Sequence, residues 1–415
     1  MPACHRRSAR LLALATVLAA AAFASTGDGQ KSAVCGEVPA ISRELSQISG
    51  LAWRHGVPCD FISKSQVNQF LKKRVKEVAS PGEIRAEELT LKKFALVPQD
   101  FDLAKSTVDL LTEQAAAFYD YNKKRLFITE TSAAGPEEPV LAHELSHALA
   151  DQNFNLAKYI KQGRKNDDGS TARLSVMEGQ ATWMMSEYIA RRTGETLKGN
   201  PGMVTMMAGL GESGGSQFPV FDSSPLYLRQ TLIFPYTRGM LFQNAVLERD
   251  GQRGFAEVFE RAPVSTQQII HPESYFAAEK PTDPALPKPR LARGYKALVG
   301  GTLGELEHSI LLEQYGGKQL AREIAPHWRG SNFELLENKK AERVVLLYAV
   351  EWNDAASAAR YFAAYRGMLA KKWKKMTVEA DTGEAVTGTG DDGRFELRRK
   401  GSIVTSVEGL DPELH

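Results

Sequence analysis

The sequence predicts an α+β protein, with a mainly helical core that holds a small mixed sheet and a C-terminal α+β domain after it. Three observations predict this. Most of the first 280 residues show apolar positions three and four apart, broken by Gly and Pro clusters. Two short runs rich in β-branched and aromatic residues, 118–121 and 125–129, interrupt that helical pattern. The last 120 or so residues mix helical periods with strand-like runs at 343–352, 394–399 and 402–407.

The composition is that of an ordinary globular chain. Of 415 residues, 52 are Lys or Arg and 50 are Asp or Glu, a net charge of +2. No strong field of either sign is available to steer nucleic acid or a membrane surface, so neither is an expected partner. Hydrophobic residues at 43% and charged residues at 25% exclude a disordered chain, a collagen and a coiled coil. Past the N-terminus there is no run of 18 apolar residues, so no membrane span is expected in the mature chain.

Residues 1–24 read as a secretory signal peptide. His5, Arg6, Arg7 and Arg10 precede an apolar run from 11 to 23, and Ala22-Phe23-Ala24 supplies a small-residue cleavage signal. The expected location is secreted or periplasmic. Cys4 leaves with that peptide, and the remaining Cys35 and Cys59 are expected to form a disulfide in an oxidising compartment. Residues 25–105 read as helical. There Lys72, Lys73, Arg74 and Lys76 form the solvated face of an amphipathic helix, which Ser80-Pro81-Gly82 ends.

A helix is expected over 106–118, then two strands joined by the turn Asn122-Lys123-Lys124. Helical periodicity returns over 137–153, with Pro139 in its first turn. Residues 163–169 read as loop, and Ser170 or Thr171 can cap a long helix to about 192. Gly- and Met-rich 198–217 reads as a connecting loop, and a helix is expected over 236–250 after Pro235. Four prolines in 280–293 predict a linker or an extended wrap, placed at 281–295 between domains. In the domain 296–415, helices are expected over 303–315 and 354–369.

One motif carries chemistry. His143-Glu144-Leu145-Ser146-His147 puts two imidazoles four residues apart, so a helix aligns them on one face where both can ligate a divalent ion. Glu144 lies beside the open position and can take a proton from a water activated there. A chance match is expected on the order of once in a hundred such chains. A third ligand is needed. The extended motif with a third histidine fails, because Ala150 and Asn153 occupy the required places. Glu178, on the next long helix, is the favoured carboxylate over Glu187, with Gly179 and Ala181 keeping its surface thin so that it can approach the first helix. Asp151, one turn after His147, can accept a hydrogen bond from a ligand imidazole.

The stretch Val140–Asp151 resembles the active-site helix of thermolysin-type, glutamate-ligand zinc metallopeptidases (gluzincins). The resemblance covers under a quarter of the chain. It implies a zincin-like catalytic domain, here 106–280, binding one Zn2+ per chain through His143, His147 and Glu178, with Glu144 as general base. Two departures stand out: a longer gap between His147 and Glu178, and Thr182 where such enzymes keep an aspartate. The chain is also similar to a group of bacterial exported proteins that share the H-E-x-x-H, a later E-G-x-A helix and a segment like Ser265–Tyr275, where Gln267 replaces glutamate.

Transition-state stabilisation needs a hydrogen-bond donor. The candidates are His271, which precedes a proline, and Tyr236, Arg238 and Tyr275. The expected function is an exported zinc metallopeptidase acting on a peptide or protein substrate. The strand 125–129 is expected to hold extended peptide by strand addition. Two alternatives remain: a catalytically weak zincin scaffold that binds an envelope component, and a metal hydrolase of a cell-wall amide.

Overall fold

The computed structural model describes residues 28–130, 138–164, 166–210 and 218–411. The proposed signal peptide lies outside the described residues. The chain is α+β, with a small mixed sheet and a seven-stranded antiparallel sheet.

Cys35 and Cys59 form a disulfide with a Cα–Cα distance of 5.8 Å, tying the helix Asp28–Ser49 to the first strand. That helix buries Val34, Val38, Ile41, Leu45 and Ile48 against Leu141, Leu145 and Leu149 of the helix Glu138–Phe154. At about 2 kcal/mol per buried aliphatic side chain, the contact is worth on the order of 10 kcal/mol before entropy. The N-terminal helix is therefore part of the core.

The next helix, Lys64–Val78, starts at a capping box in which Ser63 and Gln66 satisfy each other's backbone N–H groups. It buries Val67, Leu71 and Val75 and exposes Lys72, Lys73 and Lys76, the solvated face expected. Ser80 ends one helix and caps another, Pro81–Lys93. A further helix runs Leu103–Gln114.

The small sheet contains β1 (Cys59–Ile62), β2 (Ala117–Asp120) and β3 (Arg125–Thr129) in the order β1-β3-β2. β2 and β3 form the expected hairpin; β1, parallel to β3, was not expected. Sequence alone cannot pair Cys59 with Leu126, because a strand of four residues carries no signal of a partner so far along the chain. The arrangement also corrects an expectation. β3 is paired on both sides, so it offers no edge for strand addition.

The helices differ from expectation at four places. The helix Asp167–Arg192 starts earlier than Ser170, because Asn166 caps it through a bond from the Gly169 N–H. Leu156–Gly163 is a short helix in its own right. The segment Pro201–Leu210, expected to be a loop, is helical. The helix Leu226–Asp250 runs straight through Pro235 instead of starting after it. An interior proline removes one backbone donor, and burial of Leu232, Phe234 and Phe242 on either side keeps the helix continuous.

The C-terminal sheet has the strands β4 (Lys296–Gly301), β5 (Trp328–Asn338), β6 (Arg343–Trp352), β7 (Thr377–Asp381), β8 (Ala385–Gly390), β9 (Gly393–Lys400) and β10 (Ile403–Leu410). Their order is β4-β5-β6-β10-β9-β8-β7, and every pair is antiparallel. Helices Glu305–Gly316 and Ala355–Lys372 pack there, burying Tyr348, Tyr361, Tyr365, Trp328 and Trp352. The proline-rich segment is an extended wrap: its Leu286 and Leu291 cover Val345, Leu347 and Val407. Both parts of the chain share one core, in which Phe94 stacks edge-on against Phe333 and Tyr348.

Candidate metal centre

The helix Glu138–Phe154 is buried on every side from Val140 to Asp151. An all-round apolar environment suits its Leu and Ala residues, so the polar side chains within it must find partners. His143 and His147 find each other and Glu178. Their Nε2 atoms lie 3.2 Å apart. Glu178 Oε2 lies 3.2 Å from His143 Nε2 and 3.3 Å from His147 Nε2. All three residues are at most 2% exposed.

These spacings test whether the trio fits a metal. Ligand atoms about 2.0–2.1 Å from a tetrahedral zinc stand about 3.3 Å from one another. The observed separations match that figure. Glu144 Oε1 and Glu178 Oε1 are also buried without a hydrogen-bond partner among the described residues, and buried polar atoms left unpaired are costly. The trio could hold a metal ion.

The electrostatics follow from burial and proximity. Burial alone would raise the Glu178 carboxyl, but His147 and the bonds from both imidazoles outweigh it and hold it at about 2. Burial works against charging either imidazole. It prevails at His143, whereas at His147 the Glu178 and Glu144 carboxylates overcome it. Burial also pushes Glu144 up to about 8, with His147 opposing.

Next to Glu178, its helix crosses Leu226–Asp250 at a glycine pair. A Cβ on Gly179 would lie 2.0 Å from the Gly239 carbonyl carbon. The thin surface was expected to face the motif helix; it faces this third helix instead. From the same third helix, the Tyr236 ring stacks on His143, with centroids 5.8 Å apart and planes at 23°.

Glu144 is held by a residue the sequence did not single out. Its Oε2 accepts the backbone N–H of Tyr119 at 2.8 Å. A strand before the motif was legible, but no side-chain pattern marks a backbone donor.

Residues 294–414 match the family model described as a domain of unknown function, DUF8575. No curated protein and no solved structure matches the chain. The matched segment includes Glu305 but neither His143, Glu144, His147 nor Glu178.

The other candidates are placed elsewhere. His271 Nε2 pairs with Glu305 Oε1 at 2.9 Å, and Glu305 comes from the C-terminal part. That bond, ahead of the opposing burial, raises the imidazole and keeps it cationic more readily. No hydrogen bond among the described residues joins His271 to the trio. Tyr275 donates its hydroxyl to the Arg261 carbonyl at 2.7 Å, and the Arg261 guanidinium covers its ring. Arg238 is exposed, two residues past Tyr236 and so on another helical face.

Asp151 does not act as expected. Its carboxylate accepts from the Tyr119 hydroxyl, Lys124 and the Leu156 N–H, and no bond to an imidazole is found among the described residues. Glu187 caps the turn after its helix, accepting from Arg191, Thr196 and the Leu197 N–H. Thr182, one turn past Glu178, has a buried hydroxyl with no hydrogen-bond partner among the described residues. The segment around Gln267 is a junction. Gln267 donates to the Trp328 carbonyl at 2.6 Å, and Thr266 donates to Asp168 through both N–H and hydroxyl.

Proposed function

We propose that this protein is an exported zinc metallopeptidase of gluzincin type with a zincin-like core. The observation that carries the reading is the convergence of His143, His147 and Glu178 at 3.2–3.3 Å, with Glu144 held next to them on the same helix. His143, His147 and Glu178 would hold one zinc ion. Bound there, zinc would supply Lewis-acid polarisation of a carbonyl and lower the pKa of a water.

The chain's own residues supply the rest. Glu144 takes a proton from the attacking water and returns it to the leaving amine. Its Oε2 is engaged by Tyr119, which leaves Oε1 for that transfer. Tyr236, half-buried and stacked on His143, is the suggested donor for the developing oxyanion that the ring contact favours. His271 has a lesser claim, because Glu305 engages its ring. The Cys35–Cys59 pair supports export, since disulfides persist in oxidising compartments. No helix among the described residues is long and apolar enough to cross a membrane.

The test is zinc content by mass spectrometry, together with peptide hydrolysis. The wild-type chain should hold about one zinc, and Glu178→Ala should lose it. Glu144→Gln should keep the metal and lose turnover by at least a hundredfold. Retained hydrolysis in Glu144→Gln would exclude the mechanism and favour the scaffold alternative for any remaining binding.

A further inference from the structure

Tyr119 touches the motif helix twice. Its backbone N–H donates to Glu144 Oε2 at 2.8 Å, and its hydroxyl donates to Asp151 Oδ2 at 2.8 Å. Glu144 and Asp151 are seven residues apart, two helical turns, and therefore share a face.

The sheet explains why the N–H is available. The bond from the Thr129 N–H to the Ala116 carbonyl sets the β2–β3 register. Alternation along an antiparallel pair then turns the N–H groups of Ala117 and Tyr119 away from β3. β2 is an edge strand, and that outward edge meets the motif helix.

Asp151 has a second donor on the same oxygen, Lys124 Nζ at 2.6 Å. The Asp151 side chain is fully buried, whereas Lys124 is 46% exposed. Lys124 sits in the hairpin turn with φ at 54°, a left-handed conformation that a lysine seldom adopts. The turn thus holds an unusual backbone shape that delivers a cation to a buried carboxylate. Burial, reinforced by Asp151, raises the Tyr119 phenol, which stays protonated and remains a donor.

We propose that Tyr119 is a positioning residue for Glu144, braced by the Lys124–Asp151 ion pair. This rests on the peptidase reading above. Pinning Oε2 leaves Glu144 one free oxygen in one orientation. A carboxylate without this anchor samples other rotamers, so fewer encounters have the geometry that proton transfer needs. The clamp's hydrogen bonds end on Glu144 and Asp151 and on none of the three candidate metal ligands, so its loss should change kcat and spare KM.

The experiment compares zinc-loaded wild type with Tyr119→Phe, Lys124→Met and Lys124→Arg. It measures kcat and KM on internally quenched peptides, zinc content, and hydrogen exchange at the Tyr119 amide. Tyr119→Phe and Lys124→Met should lower kcat about tenfold with KM and zinc content unchanged, and the Tyr119 amide should exchange about tenfold faster. Lys124→Arg should recover most of the loss. Unchanged kcat, a parallel loss of zinc, or Lys124→Arg as impaired as Lys124→Met would overturn the proposal. If wild type binds zinc but cleaves no peptide, the peptidase reading fails by itself. Amide exchange then decides the clamp: faster exchange in the variants supports it, and unchanged exchange removes it. If Tyr119→Phe does not fold, the surface variant Lys124→Met carries the same comparison.

Discussion

Gly179 and Gly239 meet backbone to backbone where the helices Asp167–Arg192 and Leu226–Asp250 cross. A Cβ on Gly179 would lie 2.0 Å from the Gly239 carbonyl carbon, and one on Gly239 would lie 2.2 Å from the Ser175 carbonyl oxygen. Glu178 is the neighbour of one glycine, and Tyr236 lies three residues before the other. The crossing distance therefore sets how the zinc-ligand candidate and the stacked tyrosine face His143.

A methyl group at this crossing has no side chain to push aside, because the obstacle is backbone. Gly239→Ala must part the helices, and overpacking of this kind costs about 3 kcal/mol. The urea midpoint should fall accordingly, and zinc affinity should fall with it as Glu178 moves away from the two imidazoles. A urea titration with a zinc-binding isotherm checks both. An unchanged affinity would show that the crossing does not position Glu178.

His308 should make the C-terminal part sensitive to acid. It is fully buried, with Nδ1 2.7 Å from the Gly304 carbonyl and Nε2 2.6 Å from the Tyr348 hydroxyl. A carbonyl only accepts, so Nδ1 carries the proton and Nε2 accepts from Tyr348. Tyr361 then donates to Tyr348 at 2.9 Å. A second ring proton would break this chain, and burial holds the imidazole down at about 4. The unfolded chain binds that proton near pH 6.5. Above pH 6.5 neither state binds it. As pH falls from there towards 4 the unfolded state is favoured, and below 4 the loss is complete at about 3 kcal/mol. Urea midpoints from pH 7 to 4 should show a steeper decline for wild type than for His308→Asn. Parallel declines would remove His308 as the cause.

Cys35 and Cys59 close a loop with a sequence separation of 24, between a helix packed on the motif helix and an edge of the small sheet. Closing a loop of that length stabilises by about 3 kcal/mol. The double variant Cys35→Ser, Cys59→Ser should lose that much in a denaturant titration. In denatured, unreduced wild type, neither cysteine should react with a thiol reagent. Labelling at both would refute the pairing.

The parts legible in the sequence were those whose signal is local. The H-E-x-x-H spacing placed His143 and His147 on one helical face, and the next long helix supplied Glu178. The hairpin of β2 and β3, the disulfide partners and the strand Arg343–Trp352 were likewise legible. Each rests on a short-range periodicity or a residue count. β7 was not legible: it is five residues long and fully exposed, and three of the five are Glu, Ala and Asp, which are poor strand formers.

The sequence by itself determined the α+β class, the identity of the three candidate ligands and that of the candidate general base beside them. Only the tertiary structure decided that β3 is interior, that the helix continues through Pro235, that Glu305 engages His271, and that the Tyr119 backbone holds Glu144. The physical reason is the range over which each feature is specified. Helical and strand periods are set by neighbours within a few residues. Which surfaces meet depends on packing between elements far apart in the chain, such as Gly179 on Gly239, and on where each buried polar group finds its partner.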